Sequence, residues 1–319
     1  MSLSYLEAVV VGALQGVTEL FPVSSLGHSV ILPAVIGGQW ATDLDVSASE
    51  SPYLAFIVGL HVATAAALLV FFWRDWVRIV GGFVSSVRYR RIRTDAERLA
   101  WLIIFATIPI GLAGLLLEHT FRTVLGRPIP AAAFLLANGV ILLVGERLRR
   151  RALLRAPAMT TGGPGATLPA GADPDPDAGI EGPEADLRSD RRLAELSMTR
   201  GVLVGASQIL ALLPGISRSG VAMVAGLTQG LSHRDAARFS FLLATPVILA
   251  AGVLKIPDLT GPLGAGITGQ VLVGSAASFV CAYLSVRFLE RYFRTRTLIP
   301  FAIYSLIVGA GALIWLSVR

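Results

Sequence analysis

Lysine is almost missing from these 319 residues, with Lys255 its sole instance, and cysteine is confined to Cys281. One cysteine inside an apolar stretch cannot build a disulfide framework and reports no redox compartment. Charge is scarce as well: Asp, Glu, Lys and Arg make up 15% of the chain, against about 25% in soluble domains. With 54% hydrophobic residues and a mean hydropathy of +0.69, that scarcity excludes an ordinary water-soluble globular protein. No Lys or Arg precedes Arg74, so the amino terminus lacks the basic region of a secretory signal, and the first segments are expected to belong to the mature protein.

The cations that are present are almost all arginine, and they give a formal charge of +6 and a pI near 10.1. They are not interleaved with aromatics or spread over amphipathic helices, so no nucleic-acid partner is expected. Most fall in three connections, between residues 74 and 98, 147 and 200, and 287 and 296. The intervening connections near 118–128 and 257–265 carry only Arg122 and Arg127. The positive-inside rule then puts the three arginine-rich connections in the cytoplasm and residues 1–53 outside.

Charge-free apolar windows mark six spans, at about 54–73, 99–117, 129–145, 239–254, 266–286 and 298–318. Two further apolar regions, 1–38 and 199–231, are each broken near the middle by a polar stretch rich in Pro, Gly and Ser. Leu20-Phe21-Pro22-Val23-Ser24-Ser25 in the first echoes Leu212-Leu213-Pro214-Gly215-Ile216-Ser217 in the second. Broken pairs entered from opposite sides are the mark of an inverted-topology repeat, and their interruptions usually mark a binding site. The expected fold is therefore an all-α polytopic membrane protein, one integral membrane domain over 1–319, with six transmembrane helices plus two re-entrant helix pairs. Residues 156–187, rich in Pro, Gly, Ala and Asp, have too few large apolar side chains to fold and read as a disordered cytoplasmic linker.

The first break runs from Gln15 to His28. Gln15 and Glu19 are four apart and share a helix face, and a carboxylate in apolar surroundings needs a cation or a water-filled cavity. After Pro22 a helix capped by Ser24 or Ser25 would aim free N–H groups at the break, an end that suits phosphate. His28 lies one turn beyond Ser25, which makes a hydroxyl nucleophile and an imidazole base candidate neighbours. The plainer alternatives are helix capping for the serines and a hydrogen-bonded interior position for His28.

The second break, Pro214-Gly215-Ile216-Ser217-Arg218-Ser219-Gly220, sets an arginine between hydroxyls and glycines. Glycine allows close backbone approach, and the guanidinium fork matches phosphate oxygens, so this reads as a phosphate clamp. His61, alone in its span, is read as lining the bundle interior, and Asp43, Asp45 and Glu50 as a solvated outer loop.

These motifs resemble the bacterial undecaprenyl-diphosphate phosphatase family of the UppP/BacA type, whose signatures are an (E/Q)xxxE run leading into PVSSxGH and a PGxSRSG loop. Phe72-Trp73-Arg74, Phe239 to Ala244 and Ile299 to Tyr304 extend the match over nearly the whole chain. The resemblance implies removal of the terminal phosphate of undecaprenyl diphosphate at the outer face of the bacterial cytoplasmic membrane, recycling the carrier for cell-wall synthesis. It further implies a divalent cation, magnesium or calcium, and a homodimer within the lipid bilayer. Carried over, Glu19 would bind the metal with Gln15 or act as base, Ser25 would be the nucleophile, and His28 would assist proton transfer. Arg218, with Gln15, Ser24, Gly215, Ser217, Ser219 and Gly220, would hold the diphosphate. The competing reading is a transporter or flippase for a phosphorylated lipid, since broken helices also build transporters. A lipid phosphatase of the acid phosphatase-like class is disfavoured, because neither His119 nor His233 sits in the Ser-Arg context that class requires.

Overall fold

The computed structural model describes residues 3–44, 52–155, 177, 180, 182–255, 261 and 266–318, and contains no strand among them. The helices are α1 (Tyr5–Thr18), α2 (Ser25–Ile36), α3 (Gln39–Asp43), α4 (Pro52–Phe71), α5 (Trp73–Tyr89), α6 (Asp95–Leu125) and α7 (Pro128–Arg155). They continue with α8 (Pro183–Glu195), α9 (Met198–Ser207), α10 (Arg218–Thr228), α11 (His233–Leu254), α12 (Thr268–Tyr292) and α13 (Ile299–Val318). Five of these, α6, α7, α11, α12 and α13, are long and apolar enough to cross a membrane; a sixth span is counted when Ala55–Phe71 is taken together with Trp73–Tyr89. That pair bends by 85° at Phe72.

The two interrupted regions form paired helices, as the sequence indicates. Each has a first arm packed on a spanning helix, α1 on α12 and α9 on α6, and a second arm, α2 or α10, packed on the shared helix α7. The first arms approach their partners backbone to backbone, which requires glycine. A Cβ on Gly16 would lie 2.3 Å from the carbonyl oxygen of Ser278, and one on Gly205 would lie 1.8 Å from that of Ala106. Gly205→Ala must therefore push α9 off α6, and the expected overpacking cost is about 1–3 kcal/mol. A lowered melting temperature in detergent, measured beside wild type, checks this.

Two connections differ from the sequence reading. Arg74, Arg78 and Arg88, expected in a loop, lie on α5, which buries Asp75, Ile79 and Ser86. That helix is amphipathic, contrary to the expectation that the arginines avoid such helices.

Much of the segment expected to be a linker, 156–176, 178–179 and 181, lies outside the described residues. Its last part does not follow the linker reading, because α8 begins at Pro183 and packs on α6 and α11. Asp177 is buried between Arg192 (2.6 Å) and Arg234 (3.0 Å). Burial alone would raise the Asp177 carboxyl, but the Arg192 and Arg234 guanidiniums outweigh it and hold the group below the usual carboxylate range. Further pairs, Arg192–Asp235 (2.7 Å), Arg238–Asp190 (3.1 Å) and Arg238–Asp75 (2.9 Å), bind α8 to α11 and α5. Charges this deeply buried persist because each has partners.

Candidate active site between the two helix breaks

α1 ends at Thr18, and Glu19 caps it through a backbone N–H bond to Gln15 O. The chain then turns to Ser24, whose φ of 68° lies in the left-handed region, and α2 begins at Ser25. Ser24 is the cap of α2, its hydroxyl accepting from Gly27 N. In the second region α9 tightens into a 3-10 turn over Gln208–Leu212, the chain passes Gly215 at φ 114°, and α10 starts at Arg218 with Ser217 as cap. Two helix N-termini with serine caps thus restart just after the two breaks, as the motif spacing indicates.

The breaks are fastened to each other. Ser24 Oγ also accepts from Gly215 N at 3.1 Å. Asn138 of α7, fully buried, donates to Pro22 O (3.0 Å) and Ser305 Oγ (3.2 Å), and accepts from Ser217 N (3.0 Å). The hydroxyls of Ser217 and Ser219 both reach Phe21 O, at 3.4 and 3.3 Å. A Cβ at Gly215 would fall 2.3 Å from Ala131 O, so this position of the turn also rests directly on α7. Ser24, Ser217 and Ser219, expected to hold diphosphate, are therefore committed to joining the breaks, and Gly220 N is bound by Ser217 Oγ.

Glu19 is the centre of the remaining polar cluster and is 7% exposed. Its Oε1 accepts from Arg218 Nη2 at 2.6 Å; its Oε2 accepts from Ser25 Oγ at 2.5 Å and from Gln15 Nε2 at 3.0 Å. Arg218 Nη1 is buried and has no hydrogen-bond partner among the described residues. An unsatisfied guanidinium N–H beside a serine hydroxyl and two helix N-termini is a place prepared for an anion.

His28 does not pair with Ser25. Its Nδ1 faces Ser24 O at 2.7 Å, so it donates there, and its Nε2 accepts from the Tyr304 hydroxyl at 2.9 Å. The ring also stacks on Tyr304. The hydrogen-bond partner of Ser25 is Glu19, and the expected serine–histidine neighbourhood is corrected accordingly.

His61, read from sequence as a lining residue, points its Nε2 at Glu19 Oε2 across 3.6 Å while Nδ1 donates to Ile57 O. It belongs to the site. The sequence signal was its solitary place in an apolar span. Arg238 belongs to the α8 ion-pair cluster and takes no part in the Glu19 cluster.

Among the described residues no three His, Cys, Asp or Glu side chains converge to hold a metal. The expected pair of Glu19 and Gln15, with Ser25 alongside, supplies hard oxygen donors only. Such a set suits a magnesium- or calcium-type ion whose shell is completed by substrate phosphate oxygens, and does not suit a closed protein cage.

A model of the bacitracin resistance protein BacA family matches residues 8–311. An undecaprenyl-diphosphatase of Mycolicibacterium paratuberculosis is 69% identical over 317 residues, 99% of each chain. Undecaprenyl-diphosphatase 1 of Frankia casuarinae is 56% identical over 360 residues, covering 97% of each chain. Undecaprenyl-diphosphatase 2 of Chromobacterium violaceum is 39% identical over 314 residues, covering 97% of this chain and 98% of its own.

Proposed function

The chain belongs to the bacitracin resistance protein BacA family, and from that premise we propose how it works: it hydrolyses undecaprenyl diphosphate to undecaprenyl phosphate, with Ser25 as nucleophile, Glu19 as proton acceptor and Arg218 as phosphate clamp. The observation that carries the assignment is Glu19, which holds Ser25 on one oxygen and Arg218 on the other, leaving Arg218 Nη1 without a partner.

Ser25 Oγ attacks the terminal phosphorus and passes its proton to Glu19. The bridging P–O bond breaks and undecaprenyl phosphate leaves with its electron pair. Glu19 passes that proton on to the departing phosphate and is again a carboxylate; water then attacks the phosphoserine and gives a proton to Glu19, the Ser25 O–P bond breaks to release inorganic phosphate, and Glu19 returns the proton to Ser25 Oγ. Arg218 Nη1 and the first N–H groups of α2 and α10 meet the non-bridging oxygens, where charge must be neutralised and the phosphoryl group held in line.

Glu19 and Gln15 would hold a divalent cation together with the diphosphate, and the cation would supply further neutralisation of the phosphate charge. The arginine-bearing connections on one side support a site opening to the outer side of the bacterial cytoplasmic membrane.

The experiment is phosphate release from undecaprenyl diphosphate by the detergent-purified protein, with magnesium or calcium and with chelator. Chelation is expected to reduce release by at least about tenfold, reversibly on adding back either ion, as the loss of several kcal/mol of charge stabilisation implies. Absence of release by folded protein with every cation would overturn the phosphatase reading and favour lipid transport.

A further inference from the structure

α5 is amphipathic, and its apolar side is not the side it buries. One face buries Asp75, Ile79 and Ser86, and the helix packs on α6. On the roughly opposite face lie Trp73, Val77, Val80, Val84 and Val87, each more than half exposed. These residues advance three or four positions at a time and so form one stripe along the helix. A helix whose outer face met water would carry polar residues there.

The helix also turns by 85° from the spanning segment before it, so it lies across that segment and not in line with it. Its two ends pair arginine with aromatic rings: Arg74 sits 5.3 Å from the Trp73 ring centroid, and Arg88 sits 5.9 Å from that of Tyr89. Apolar stripe, crosswise course and arginine–aromatic ends are the features of a helix lying in a membrane interface.

Beyond Tyr89 the chain turns through Arg90, in the left-handed conformation at φ 51°. Ser86, Val87, Arg90, Arg91, Ile92 and Trp101 line a groove of about 350 Å³. Trp101 Nε1 donates to Ser86 Oγ at 2.9 Å and fixes one wall. Among the described residues no carboxylate lines the groove, and Arg88, Arg90 and Arg91 make no ion pair. The nearby Glu97 is engaged by the N–H groups of Arg93 and Thr94 and by the Ser85 hydroxyl.

We propose that α5 and the turn after it form a seat for an anionic phospholipid, separate from the Glu19 cluster: acyl chains cover the valine stripe and the headgroup phosphate enters the groove at Arg90 and Arg91. Charge complementarity selects this occupant, since the groove offers two unpaired guanidiniums beside an apolar strip that water would not cover.

The test is native mass spectrometry of the full-length purified protein titrated with phosphatidylglycerol or with phosphatidylcholine of the same chains. Wild type is expected to retain phosphatidylglycerol preferentially, and the Arg90→Gln/Arg91→Gln variant to lose that preference by about tenfold or more, as removal of two cations near an anionic headgroup implies. The variant is expected to keep its phosphate release and its melting temperature. Val80→Asn/Val84→Asn is expected to weaken retention of both lipids. Equal retention of the two lipids by wild type, or unchanged preference in the arginine variant, overturns the proposal. Displacement of phosphatidylglycerol by millimolar inorganic phosphate would identify a free-anion site and overturn the lipid assignment.

Discussion

Arg218→Lys is expected to lower phosphate release from undecaprenyl diphosphate by about 10³-fold although it preserves the charge, the weight of a lost transition-state donor in a preorganised site. Arg218 uses its two terminal nitrogens differently: Nη2 holds Glu19 Oε1 at 2.6 Å, and Nη1 is buried without a partner. Lysine has one nitrogen and no fork, so it can hold the carboxylate or meet the phosphate, but not both in this geometry. The loss belongs in kcat more than in KM, because the second contact strengthens as charge develops on the phosphoryl oxygens. Steady-state kinetics of the purified variant decide it; activity within about tenfold of wild type would remove Arg218 from the clamp, since a donor aimed at developing charge should carry about 10²-fold or more.

Glu19→Gln should cost a similar factor, about 10³, through loss of the proton acceptor for Ser25. The substitution is nearly isosteric, but it also leaves the buried Arg218 without its counter-ion, so some stability is expected to be lost. Kinetics and thermal unfolding must therefore be measured together. The separating control is Glu19→Gln combined with Ser25→Ala. If the two residues act as one unit, the double variant is no slower than the slower single variant, whereas independent roles would multiply. Multiplying effects would overturn the assignment of Glu19 as the acceptor for Ser25.

Both helix breaks and the serine cap of the first follow from motifs that place rare polar residues in apolar runs; the same motifs single out Glu19 and Arg218 separately, and their pairing across 199 positions of sequence is made by the fold. The partner of Ser25 does not follow from them. Spacing along a helix favoured His28, but the turn between Glu19 and Ser24 folds the carboxylate back onto the hydroxyl, and tertiary contact with Tyr304 takes the imidazole away. Asn138 was hidden for another reason: a single amide in α7 has no periodicity or motif, and its value lies in groups contributed by three other segments. α5 is legible in the helical spacing of Val77, Val80, Val84 and Val87, but the arginines at 74, 78 and 88 give the same segment the pattern of a charged connection. α8 is held by ion pairs to distant residues, which composition alone cannot foresee.

The fastening of one break to the other limits what the molecule can do mechanically. A carrier working by alternating access must rock one repeat against the other, opening the midplane first to one leaflet and then to the opposite one. Here such a stroke would have to part Ser24 from Gly215, Asn138 from Pro22 and Ser217, and the Phe21 carbonyl from two hydroxyls. Buried polar groups stripped of partners cost about 1–3 kcal/mol each, so the combined penalty rivals the stability of a whole domain. The site between the breaks is in consequence a fixed seat: a lipid substrate would have to reach it, and its product leave it, without any rocking of these two repeats.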